Sequence, residues 1–162
     1  MIAEDNKVLT RRFYDEVFNQ KNLAAIDEFL APDQVDHTLP PNLPANTTGT
    51  KQAIGWFLRA FPDLHITIDD LIADGDKVAV RFTSRGTQRG RFWGLPPTGR
   101  SVTISSYLIA RIAHGKIVEQ WGLDDQLGML GQLGVIPALV GVVFLAGLGA
   151  GVGLTLLVHR PG

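Results

Sequence analysis

Hydrophobic positions change their period partway along this chain. Between residues 6 and 19, Leu9, Phe13, Val17 and Phe18 fall on one stripe at helical spacing, predicting a helix that Asn6 would cap. A second, short helix is expected over about Leu23 to Leu30, stopped at Ala31-Pro32. A third runs from Thr50 to Phe61, with Ile54, Phe57, Leu58 and Phe61 apolar, and ends before Pro62. From His65 the period drops to two. His65 to Ala73 and Lys77 to Arg85 read as strands joined by a tight turn at Asp74-Gly75-Asp76. In the second of them Val78, Val80 and Phe82 share one face and Arg81 the other. Ser101 to Ala113 is a long strand, His114-Gly115 turns it, and Lys116 to Asp125 closes the sheet. The proline-bearing stretches Asp33 to Thr50 and Gly86 to Gly99 read as connections. Helices segregated ahead of hairpin-linked strands define an α+β domain, helices packed on an antiparallel sheet.

The last strand passes directly into a short helix, and its pattern is the least ordinary in the chain. Alternation puts Ile117, Glu119, Trp121, Leu123 and Asp125 on one side. Carboxylates beside tryptophan and leucine suit neither a solvent face nor a core. They suit the wall of an apolar cavity that holds one or two useful acids.

Charge and composition narrow the function. The net charge is -1 over 162 residues with no basic run, so nucleic acid is disfavoured as a partner. There is no cysteine, which removes thiol chemistry, disulfides and thiolate metal sites. The four histidines lack ligand spacing, and neither a metal nor any cofactor is expected. No phosphate-binding glycine loop or nucleophile elbow is present in a strand-to-helix context. Acid/base work by carboxylates and histidine is what remains. The polar, acidic N-terminus argues against a secretory signal, and Asn46-Thr47-Thr48 is a chance match to a glycosylation sequon.

Three segments together resemble the SnoaL-like polyketide cyclases, also called ester cyclases: Ala60-Phe-Pro-Asp-Leu64, Gly86-Thr-x-x-Gly-x-Phe-x-Gly-x-Pro-Pro-Thr-Gly99, and Gly115-Lys-Ile-Val-Glu-x-Trp-x-x-x-Asp-x-Leu-Gly-x-Leu-x-Gln-Leu-Gly134. The resemblance covers roughly residues 5 to 134. It implies a cone: a strongly curved antiparallel sheet wrapped against the N-terminal helices around one deep cavity. It also implies a cofactor-free reaction in which an aspartate takes a proton next to a carbonyl and a ring closes by intramolecular aldol addition. An epoxide hydrolase, isomerase or dehydratase reaction of the same superfamily is the alternative, as is a non-catalytic binding module. The expected ligand is an apolar, carbonyl-bearing small molecule, and the expected assembly a homodimer.

On the matching positions, the catalytic aspartate is Asp125 and the cavity histidine His37. Each has a plainer reading, since Asp125 precedes a helix and would cap it, and His37 would merely close its loop. Trp121, Glu119, Arg81, Phe92, Trp93 and Phe13 are candidate substrate contacts. Arg81 reads more commonly as a surface charge and Phe13, with Tyr14 and Phe18, more commonly as core, whereas Phe92 and Trp93 read equally as packing. Relatives often carry histidine where this chain has Gln88, so any role of that histidine is lost or reassigned here.

Residues 135–162 depart from the pattern. No charged residue falls between Val135 and Val158, and a run of about 24 apolar or small residues is long enough to cross a bilayer core. Gly147 with Gly151, and Gly149 with Gly153, would allow close approach of two such helices. The division expected is therefore a cone domain over 1–134 and a hydrophobic tail over 135–162. That tail is read as a transmembrane anchor for a cytoplasmic domain, or as a helix buried in an oligomer.

Overall fold

A computed structural model describes residues 2–135. The tail, and with it the transmembrane reading, lies outside the described residues apart from Val135. Among the described residues no helix is long and apolar enough to cross a membrane.

Helix α1 spans Ile2–Phe13 and continues as a π-helical turn over Tyr14–Asn19. Glu4 and Asp5 sit in its first turn and Arg11 and Arg12 in its last, which suits the helix dipole. Because the helix starts at Ile2, Asn6 is not its cap. Asn6 is buried, and its amide donates to the Gly75 carbonyl at 3.3 Å. The wider π turn rotates the aromatic run inward, so that Phe13, Tyr14 and Val17 are all buried. A 3-10 turn at Leu23–Ala25 and the short α2, Ile26–Phe29, lead into β1, Leu30–Asp36. Helix α3, Thr47–Ala60, begins three residues earlier than the apolar pattern suggests. Asn46 caps it, accepting from the Thr48 and Gly49 amides at 3.0 and 3.2 Å.

The remaining strands are β2, His65–Asp74, β3, Lys77–Thr87, β4, Ser101–Ala113, and β5, Lys116–Asp124. They form one sheet in the order β1-β5-β4-β3-β2. Four strands pair antiparallel as expected. β1 was not expected, and it pairs parallel to β5 at the sheet edge. Pro32 is tolerated there because an edge strand can spare one donor. The β4–β5 turn places His114 and Gly115 at φ of 52° and 71°, the positive values a two-residue hairpin loop demands.

One irregularity decides which face of β5 looks inward. Arg111 pairs with Glu119 but the next residue, Ile112, pairs with Ile117, so Val118 is an extra residue, a β-bulge. A one-residue insertion exchanges the faces of everything beyond it. Ile117 is therefore buried with the core, and Gln120, Gly122 and Asp124 continue on that inner side. Of the five residues expected on one face, Glu119, Trp121 and Leu123 share the outer side, Ile117 is turned inward by the bulge, and Asp125 lies beyond the strand. The helices cover the inner face of the sheet, where Val78, Val80 and Phe82 meet Val102, Ile104 and Ile112.

Candidate active site

Between α1, α3 and the inner sheet face lies a cavity of about 490 Å³. Its helical wall carries Phe13, Tyr14, Phe18, Ile54 and Phe57, and its sheet wall Phe82, Ile104 and Leu108. The 88–100 connection supplies Phe92 and Trp93 at the mouth, stacked on one another at 4.6 Å. That connection is held by Gln88, which is fully buried. Its amide donates to the Gly90 and Pro96 carbonyls, and its Oε1 accepts from the Thr98 amide and hydroxyl. The residue standing where relatives often have histidine is thus a clamp on the loop that closes the mouth.

Polar groups enter this apolar space at a few points. Ser84 and Ser106 extend the inward alternation of β3 and β4, and both are buried. Asp124, the last residue of β5, lines the cavity opposite Ser106 in register. Tyr14 is 4% exposed, and among the described residues its hydroxyl makes no hydrogen bond. Burial pushes its pKa up, and the nearby negative charge of Asp124 adds to the effect. Further along β5, Asp36 is 2% exposed at the end of β1. Its Oδ2 accepts from Gln120 Nε2 at 2.6 Å and Thr50 Oγ1 at 2.7 Å. Its Oδ1 accepts from the Thr38 amide and hydroxyl at 2.9 and 2.6 Å.

The residues singled out from sequence divide between two sides of the sheet. Phe13, Phe92 and Trp93 line the cavity. Asp125 is exposed just beyond β5, where its Oδ1 accepts from the Gly128 amide at 2.8 Å and caps α4, Gln126–Gln132. A Cβ on Gly128 would stand 2.0 Å from the other Asp125 oxygen, so the glycine at that place keeps the cap open. His37, Glu119, Trp121 and Arg81 lie on the outer face. The His37 ring stacks flat on Trp121 at 5.2 Å and meets Glu119 Oε1 at 3.0 Å. Arg111 donates to the other Glu119 oxygen at 2.9 and 3.0 Å. The hydrogen bond from His37, then that from Arg111, holds the Glu119 carboxyl below its ordinary pKa. Arg81 pairs with Asp70 and Asp69, and the Asp70 bond holds its pKa up.

Sequence reasoning passed over Thr50, Ser84, Ser106 and Gln120 as cavity groups, weighed Tyr14 and Asp36 without choosing them, and set Asp124 on the face opposite Asp125. For the two serines a signal was present, since Phe82-Thr-Ser84 and Ile104-Ser-Ser106 put a small polar residue in an inward slot. For Gln120 and Asp124 it was hidden by the bulge.

An α+β cone with an apolar cavity and acids on its wall is a small-molecule site rather than a macromolecular one. The chain belongs to the SnoaL-like polyketide cyclase family, whose model matches residues 8–133. It is 29% identical over 119 residues to the nogalonic acid methyl ester cyclase of Streptomyces nogalater, covering 72% of this chain and 89% of that protein. Among solved structures it is similar to TsrD from Streptomyces laurentii, with 29% identity, a TM-score of 0.75 and coverage of 82% of this chain and 96% of that one. IdmH from Streptomyces antibioticus is 35% identical, with a TM-score of 0.70 over 80% of this chain and 99% of its own.

Proposed function

We propose that this protein is a cofactor-independent acid/base enzyme acting on an apolar, carbonyl-bearing small molecule of polyketide type. It removes a proton next to one carbonyl and closes a ring by aldol-type addition to another. The observation that carries the reading is an exposed carboxylate at the edge of the cavity, Asp124, close to the buried Tyr14, whose hydroxyl has no hydrogen-bond partner among the described residues. Asp124 takes the proton from carbon. Tyr14, kept protonated by burial and by the charge of Asp124, donates a hydrogen bond to the oxygen that becomes the enolate. The enolate carbon then bonds to the second carbonyl carbon, and the resulting alkoxide recovers the proton from Asp124. Ring closure is favoured over the other reactions of the superfamily because a curated relative bears the name of an ester cyclase.

The family pattern alone would give the base role to Asp125 with His37 as its partner. Asp124 is preferred because Asp125 spends an oxygen on the α4 cap and His37 is engaged with Glu119 on the outer face. Hydrogen–deuterium exchange at the carbon acid of an aromatic β-keto ester, followed by NMR, separates them. Asp124→Asn is expected to slow exchange by about 10²- to 10⁴-fold. Asp125→Asn is expected to keep the rate within a few-fold while lowering the melting temperature. The reverse pattern would return the base role to Asp125. If the wild-type protein binds the ester without exchange above background, the binding-module reading takes over. Self-association and attachment of a cytoplasmic domain to a membrane by residues 135–162 belong to the same proposal.

A further inference from the structure

The cavity holds a second polar centre, about 13 Å along β5 from Asp124 at ~3.3 Å per residue. There the Asp36 carboxylate makes no ion pair among the described residues. All of its hydrogen bonds come from neutral donors: the Thr38 amide and hydroxyl, the Thr50 hydroxyl and the Gln120 amide. A carboxylate can only accept. The end of Gln120 that faces it must therefore be the NH2, which settles the orientation of the amide on chemical grounds. The carbonyl Oε1 is turned away from Asp36, and no donor among the described residues meets it. Gln120 is 6% exposed and lines the cavity. That acceptor is open to the cavity rather than sealed in the protein, and in so apolar a space it favours a ligand that supplies a donor.

We infer that Gln120, locked by Asp36, is a specificity residue that selects a ligand bearing a hydroxyl or N–H group remote from its reacting carbon. The preferred ligand is an enol, phenol or alcohol at that point, and the corresponding ketone or ether is disfavoured. Asp36 is a positioning residue: its charge forbids the flipped amide, which would offer a donor in place of an acceptor. Gly122, between Gln120 and Asp124 on the inner side of β5, leaves the wall between the two centres without a side chain. The inference rests on the acid/base reading for which end of the ligand reacts. The selection itself is a property of binding.

Titration of the full chain with 2-naphthol and with 2-methoxynaphthalene, in which a methyl group replaces the donor hydrogen, tests this. The wild-type protein should bind the naphthol about tenfold more tightly. Gln120→Met, which keeps length and removes the carbonyl, should bring the two within about twofold. Asp36→Asn, nearly isosteric, should also shrink the ratio, because a neutral amide no longer dictates how Gln120 points. Thermal melts establish that each variant is folded, and either variant alone suffices if the other is not. The same ratio in Gln120→Met as in the wild type overturns the inference, as does a wild type with no preference or no binding of either probe. A full ratio in Asp36→Asn beside a lost one in Gln120→Met removes Asp36 from it and keeps Gln120. Absence of carbon-acid exchange with the ratio intact defeats the reading of the reaction and leaves the selection standing.

Discussion

Single side chains in this protein are set by what faces them rather than by what they are. Asp124 and Asp125 are adjacent and identical, yet one lines the cavity and the other caps a helix. Glu119, expected as a cavity acid, is instead the centre of an outer cluster with His37 and Arg111. The pKa of Glu119 is lowered in the folded state, so the cluster stabilises fully above the ordinary value of 4.5. That contribution is lost as pH falls through the lower folded value, where the carboxylate is protonated. Glu119→Gln should accordingly melt below the wild type near neutral pH, and the gap should close in acid. Melting curves across that range check it, and equal melting of the two proteins near neutral pH would show the pairing to be unimportant.

At the level of elements, the 88–100 connection owes its form to one buried amide. Gln88→Ala would strand the Gly90 and Pro96 carbonyls and the Thr98 amide, at about 1 kcal/mol or more for each lost bond, so about 2–4 kcal/mol in all. Urea denaturation should show that loss, and ligand binding should weaken because Phe92 and Trp93 ride on the same loop. An unchanged midpoint would mean that water replaces the side chain. Periodicity made α3 and four of the strands legible, because each carries several turns or alternations of one repeat. β1 was illegible for the opposite reason. Its burial runs Leu30 and Ala31 in, Pro32 and Asp33 out, Gln34 in, a sequence no two-residue period describes. The candidate site was legible where it is aromatic, at Phe13, Phe92 and Trp93. It was not legible along β5, since alternation carries no mark of where Val118 bulges and every later residue is then assigned to the wrong side. The Asn46 sequon has a structural use that glycosylation patterns do not consider, as the cap of α3.

For the molecule as a whole, one face of the described sheet and one stretch of the sequence are where partners are proposed. The outer sheet face leaves Tyr107, Ile109 and Leu123 at 60%, 45% and 80% exposure, and it is where we propose that two copies meet. The apolar run from Val135 to Val158 is where we propose that a membrane holds them. Fractionation of cells should leave the full chain in the membrane after an alkaline wash and release a chain ending at residue 134. Sedimentation of that shorter chain should give twice the monomer mass, reduced to one by Leu123→Asp. Release of both forms by the wash, or a monomer before substitution, would remove the corresponding partner. The parallel pairing of β1 with β5 also fixes an order of events during synthesis. β1 leaves the ribosome early, but its partner strand, residues 116–124, follows some 80 residues later, after three other strands have been made. Until then an edge of Leu30, Ala31 and Val35 has no strand to join, and the cavity lacks the wall that bears Asp124. The nascent chain is most exposed to mispairing in that interval, and its cavity is not closed until nearly the whole domain has emerged.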